Sequence, residues 1–224
     1  MYGDRSEYLT TPIEQLKDNT QSAQEKLARR MAKKAGFPLL VLARPGTFGS
    51  SGFHHEKKTE SELVAMEFAL DALKSRYGIR RFILLGHSGG GLVSAAMITR
   101  GRNDVRCAVL VSTPFDLMDR AISKHATSPS KGLSDKLLKA YGAQYDPLQH
   151  VENVVNDQDR MIYLLGNPGD KTTPFNSQKR FAEALRLAGH RVVLEVRSAS
   201  DSNFHRISYS DSLAQIKMCV ASSR

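Results

Sequence analysis

The chain predicts an α/β fold, a mostly parallel central sheet with helices on both faces, on three observations. Apolar runs of strand length recur along it: PLLVLA (38–43), RFILL (81–85), CAVLVS (107–112), RMIYLLG (160–166) and RVVLEV (191–196). Segments with helical patterning and helix-capping residues separate these runs. The runs are also unbroken rather than alternating, the pattern of parallel strands buried on both sides.

Each element has its own local warrant. Ser22 and Glu25 form a capping-box pattern at the head of a helix that stops near Gly36. Thr59 and Glu62 do the same for SELVAMEFALDALKSRY, which Gly78 closes. Further helices are expected over 89–100, ending at Gly101, over 175–188, ending at Gly189, and over roughly 208–221. The polar, irregular stretch 113–159 holds two short helices at most and reads as a small cap-like insertion in a single domain, 1–224.

At 224 residues the chain supports one sizeable domain. It contains no apolar run long enough to span a membrane, and MYGDRSEYLTTP lacks the pattern of a signal peptide. Cys107 and Cys219 have neither metal-type spacing nor a disulfide framework. Cys107 lies in a strand pattern and reads as a buried inert thiol, so the expected setting is reducing and cytoplasmic. A net charge of +9 raises the question of an acidic partner. In KLARRMAKKAG (26–36), however, Leu27, Met31 and Ala35 recur at helical spacing and leave the cations on the wet side. No aromatic interleaving accompanies them, so no nucleic-acid partner is expected.

The chemistry concentrates at FILLGHSGGGLVSA (82–95), where an apolar strand runs into Gly86-His87-Ser88-Gly89-Gly90 and resumes as a helix. A serine between glycines at a strand-to-helix junction fits a sharp turn that lifts its hydroxyl above the sheet. The helix N-terminus favours developing negative charge there, and the Gly89 amide points at it. A serine hydroxyl needs a base, and the base needs an orienting carboxylate. Asp170 follows the strand 160–166 in GNPGDKTTP, and His205 follows the last strand in SASDSNFHRIS. Asp116, in STPFDL after the preceding strand, is the rival acid. Asp201 is read as shaping the loop that carries His205, and His87 as packing beneath the turn. His54, His55 and Glu56 lack ligand geometry, so no metal site is expected.

With GHSGGG, GNPGDKTTP and the histidine after the last strand, the chain resembles α/β-hydrolases of the small serine-esterase or dienelactone-hydrolase type, and prolyl-oligopeptidase catalytic domains. The likeness runs over nearly the whole chain. It implies a serine hydrolase cleaving esters through Ser88, His205 and Asp170 by an acyl-enzyme, with a peptidase or aminoacyl amidase, or an inactive binding protein, as alternatives. It implies no cofactor and a small ester or short peptide-like substrate, and leaves a homo-oligomer open. A second oxyanion amide is expected from Asp4 in Met1-Tyr2-Gly3-Asp4, where such enzymes often have His-Gly, with the Arg44-Pro45-Gly46-Thr47 loop as the other candidate. In the family the strand feeding that loop lies between those at 38–43 and 81–85, so the chain is expected to lack its amino-terminal strands, and any export signal would be lost with them. The insertion is expected to roof the pocket, with some of Phe115, Leu117, Met118, Ile122, Leu133, Leu137, Leu138, Tyr141 and Tyr145 lining it. Arg44 and the GSSGFHH loop are candidates to meet a polar substrate group.

Overall fold

A computed structural model describes residues 1–221 apart from 6, 13, 14, 18, 127–138 and 140. Four strands, β1 (Phe82–His87), β2 (Val105–Val111), β3 (Met161–Gly166) and β4 (Arg191–Val196), form one parallel sheet in that spatial order. The helices are α1 (Glu7–Thr10), α2 (Gln21–Ala35), α3 (Glu60–Tyr77), α4 (Gly89–Thr99), α5 (Leu117–Ala126), α6 (Phe175–Leu187) and α7 (Tyr209–Ala221). None of the described helices is long and apolar enough to cross a membrane.

Period-two alternation sends strand residues to two separate cores. On one face Leu84, Ala108, Leu110, Ile162 and Leu164 pack with Leu63, Met66, Val93, Met97 and Phe181 from α3, α4 and α6. On the other, Cys107, Val109, Val111, Tyr163 and Leu165 pack with Leu213 and Ile216 of α7 and Ala35 of α2. Every residue of α4 is buried, which is why its sequence is small and apolar all round rather than striped.

Capping is partly as expected. Gly36 and Gly78 end α2 and α3 in the left-handed conformation. Thr20, not Ser22, caps α2, its hydroxyl accepting the Ala23 amide. Glu62 does not serve a capping box: its carboxylate accepts the Lys58 amide and two hydrogen bonds from Arg44.

Two expectations are corrected. Residues 38–43 form no strand. They and β1 instead line one cavity of about 1220 Å³, with Leu39, Leu42, Ile83 and Leu85 in its wall, and no backbone hydrogen bond joins the two segments among the described residues. Among the described residues only Met1 hydrogen-bonds to the free edge of β1: its amino group donates to the Leu85 carbonyl, and its carbonyl accepts the His87 amide. Burial, and secondarily Arg44, lower that amino group to about 5. No described strand precedes Phe82.

Nor are the cysteines free. Cys107 of β2 and Cys219 of α7 form a disulfide across 112 residues of sequence, because facing positions of strand and helix bring them together inside the second core. The argument for a reducing, cytoplasmic setting falls with the free thiols. Closing a loop of about 100 residues stabilises by up to about 4.7 kcal/mol in the chain-entropy account. Cys219→Ser is therefore expected to lose about 2–5 kcal/mol, read as a lowered urea midpoint under non-reducing conditions. An unchanged midpoint would contradict a stabilising bridge.

Candidate active site

β1 stops at His87, and Ser88 turns the chain into α4 with φ 51 and ψ −122. A non-glycine residue there is strained, at a cost of about 1–3 kcal/mol, and persists only where its surroundings over-determine it. They do: the Ser88 amide donates to the Val111 carbonyl at 2.8 Å, and the Ser88 carbonyl accepts the Leu92 amide. The turn is tight enough that a Cβ on Gly86 would lie 2.2 Å from the Gly90 carbonyl oxygen. One on Gly89 would lie 2.0 Å from Asp4 Oδ1, so residues 1–4 pack directly on the first turn of α4.

Asp170 and His205 lie side by side. His205 Nδ1 lies 2.8 Å from Asp170 Oδ2. An ionised carboxylate only accepts, so Nδ1 carries a proton, and in the neutral imidazole it is Nε2 that keeps the lone pair. The Asp170 side chain is fully buried but well satisfied: Oδ1 accepts the amides of Thr172 and Thr173, and the Thr173 hydroxyl lies 2.7 Å from Oδ2. Burial pushes this carboxyl upward, but the hydrogen bonds from His205 and Thr173 outweigh it and hold it below the ordinary carboxylate range.

Two more groups fix the histidine loop. Asp201 Oδ1 accepts the amides of His205 and Arg206. His87 Nε2 lies 3.2 Å from the His205 carbonyl oxygen, and the two rings pack 4.9 Å apart. Burial lowers the pKa of His87, only partly offset by that hydrogen bond, so it is neutral at pH 7 and Nε2 is the donor. Ser88 and His205 both line the 1220 Å³ cavity, with Asp4 and Gly3 beside them. No hydrogen bond joins the serine hydroxyl to the imidazole among the described residues, and such bonds are often long until substrate binds. Nor does any described group take up the backbone N–H of Gly89 or Asp4.

Asp116, the rival acid, faces elsewhere: its Oδ2 pairs with Arg180 of α6 at 2.6 Å. Arg44 is also redirected. Its guanidinium grips Glu62 with Nε and Nη2 and Asp4 with Nη1, and is about 1 % exposed, so it is spent inside the protein and does not face substrate. Lys58 completes the cluster with a 2.9 Å bond to Asp4. Burial opposes ionisation of Asp4, but Lys58 and Arg44 prevail and hold its carboxyl far below the usual range. Sequence reasoning missed this cluster and Thr173, since nothing local marks an arginine at 44 as the partner of acids at 4 and 62. Of the insertion, Phe115 stacks on Phe181 of α6 and the Tyr145 hydroxyl lies 3.0 Å from that of Thr99 in α4, which fastens it to the domain. Leu133, Leu137 and Leu138 lie outside the described residues. No trio of His, Cys, Asp or Glu among the described residues is placed to hold a metal ion.

Residues 19–139 match the family described as the alpha/beta hydrolase fold. No curated protein sequence matches the chain. Among solved structures, an esterase of Pyrococcus furiosus superposes with a TM-score of 0.64 at 15 % identity, over 88 % of this chain and 74 % of that one. An acylaminoacyl peptidase of Pyrococcus horikoshii superposes with a TM-score of 0.53 at 14 % identity, over 68 % of this chain but only 26 % of that one. At such identities the likeness is one of fold, and with the sequence match it is sufficient: the chain belongs to the α/β-hydrolase-fold family.

Proposed function

We propose that the chain is a serine hydrolase that cleaves carboxylic esters through an acyl-enzyme. The observation that carries this is the 2.8 Å contact of Asp170 with His205, which lines one cavity together with Ser88 on its strained turn. In this reading Ser88 Oγ attacks the ester carbonyl while His205 Nε2 takes its proton, and Asp170 fixes the imidazole tautomer and stabilises the imidazolium. The carbonyl oxygen gains negative charge and is met by the Gly89 and Asp4 amides. His205 then hands its proton to the leaving alcohol; it next takes a proton from the water that attacks the acyl-enzyme and returns it to Ser88 Oγ as the acid leaves.

A fluorophosphonate probe tests the reading on the folded protein. Labelling of the parent, absent in Ser88→Ala and strongly slowed in His205→Ala, is the expected result. An unlabelled parent that is demonstrably folded would overturn the reading.

A further inference from the structure

Lys58 is a buried cation for which the acyl-enzyme scheme has no task. It stands two residues before α3 with φ 67, a backbone conformation that a non-glycine residue keeps only where its surroundings impose it. They impose it from two sides. The Lys58 amide donates to Glu62 Oε2 at 2.6 Å, and its carbonyl accepts the Tyr145 amide at 2.7 Å. The ammonium so placed meets Asp4 Oδ2 at 2.9 Å, on a side chain only 8 % exposed.

A buried lysine facing a carboxylate is a poor way to stabilise a fold, because desolvation can exceed the Coulombic gain. Burial lowers the pKa of this ammonium, and Asp4 offsets that only in part. What the pair does secure is the place of residue 4. No backbone hydrogen bond reaches Gly3 or Asp4 among the described residues, so the carboxylate is what holds them. Arg44 Nη1 takes Oδ1 at 2.7 Å and Lys58 takes Oδ2. Arg44 is itself locked onto Glu62, which also accepts the Lys58 amide, so both cations are fixed to one residue in the first turn of α3.

The segment held in this way lies against the serine. A Cβ on Gly3 would lie 3.0 Å from Ser88 Cβ and 3.3 Å from the His87 carbonyl oxygen, and Asp4 Oδ1 abuts Gly89. An oxyanion donor works only where its N–H is already aimed at the developing charge, and a misplacement of about 1 Å can cost about a hundredfold in rate.

We propose that Lys58 is a positioning residue for the oxyanion site: by anchoring the Asp4 carboxylate it aims the Asp4 amide at the carbonyl oxygen of the group that Ser88 attacks. The assignment rests on the serine-hydrolase reading and adds to it a residue that acts through Asp4. Because the donor is needed in the transition state, losing its aim lowers kcat and spares KM.

The test follows kcat and KM for p-nitrophenyl butanoate in Lys58→Met, Asp4→Ala and the two combined, each shown to be folded by its urea transition. Each single change is expected to lower kcat by about tenfold to a hundredfold with KM within about twofold, short of the loss of about 10²–10³ for deleting a donor outright. The double variant should be no slower than the slower single one, because the lysine acts through Asp4. It also strands neither charge, so it carries the kcat comparison alone if a single variant does not fold. Lys57→Met, which removes the adjacent, half-buried cation, should keep the parent's kcat. A folded Lys58→Met or double variant at the parent's kcat, a loss carried by KM, losses that multiply in the double variant, or an equal loss in Lys57→Met would each overturn the assignment, while a parent labelled by the fluorophosphonate keeps the hydrolase reading. A folded parent that is not labelled overturns both.

Discussion

Asp170→Asn is expected to lower kcat on a p-nitrophenyl ester by about ten-thousand-fold while the protein stays folded. The reason is tautomeric. Oδ1 can still accept the amides of Thr172 and Thr173, so the loop keeps its shape. The new amide nitrogen would stand where Oδ2 now meets His205 Nδ1, and it would donate. Nδ1 would then have to accept, which moves the proton to Nε2, the atom that must receive the Ser88 proton. Asp116→Asn should have little effect on kcat, since that carboxylate is engaged with Arg180. A value for Asp170→Asn within tenfold of the parent would remove Asp170 from the proposed triad.

Arg44→Met is expected to destabilise the fold by about 3–5 kcal/mol, the cost of leaving a buried charge without its partner. Both oxygens of Glu62 lose a hydrogen bond, at 2.8 and 2.9 Å, in a site where each side chain is about 1 % exposed. Adding Glu62→Leu should recover much of the loss, because the stranded anion goes too. The residual deficit should fall on Asp4, which keeps Lys58 but loses Nη1 of Arg44. The acid side supplies a second readout. A carboxyl held below its unfolded value of 3.8 contributes stability that is full above that pH and is lost as pH falls through the lower folded value. With Arg44 gone, the folded value rises towards the unfolded one, so the contribution shrinks at neutral pH and the acid limb moves to higher pH. Urea midpoints at pH 7 and across the acid range measure both effects, and an unchanged midpoint at pH 7 would contradict the role given to Arg44.

Much of this molecule was legible in its sequence because the signals are local. The four strands announce themselves as unbroken apolar runs, and the turn at Ser88 as glycines at a strand-to-helix junction. Asp170 and His205 follow strand ends, and a parallel sheet delivers all strand ends to one edge. What was not legible depends on pairs far apart in the chain. Residues 38–43 have the composition of a strand, but a strand also needs a neighbour at ladder distance, and composition carries no record of one. Cys107 and Cys219 read as unrelated thiols until the packing of α7 on β2 puts them side by side. Arg44 reads as a loop cation until Glu62 and Asp4 are seen to converge on it.

The bridge between β2 and α7 also sets how the molecule would behave under tension. Pulled from its two ends, the oxidised chain cannot pay out the 112-residue stretch that the bridge closes, a hidden length of about 390 Å when fully extended. That stretch contains β3, β4, α5 and α6 together with Asp170 and His205, whereas Ser88 lies outside it. Force would therefore draw the serine away first and leave the acid and the base shielded within a closed loop until a reductant opened it.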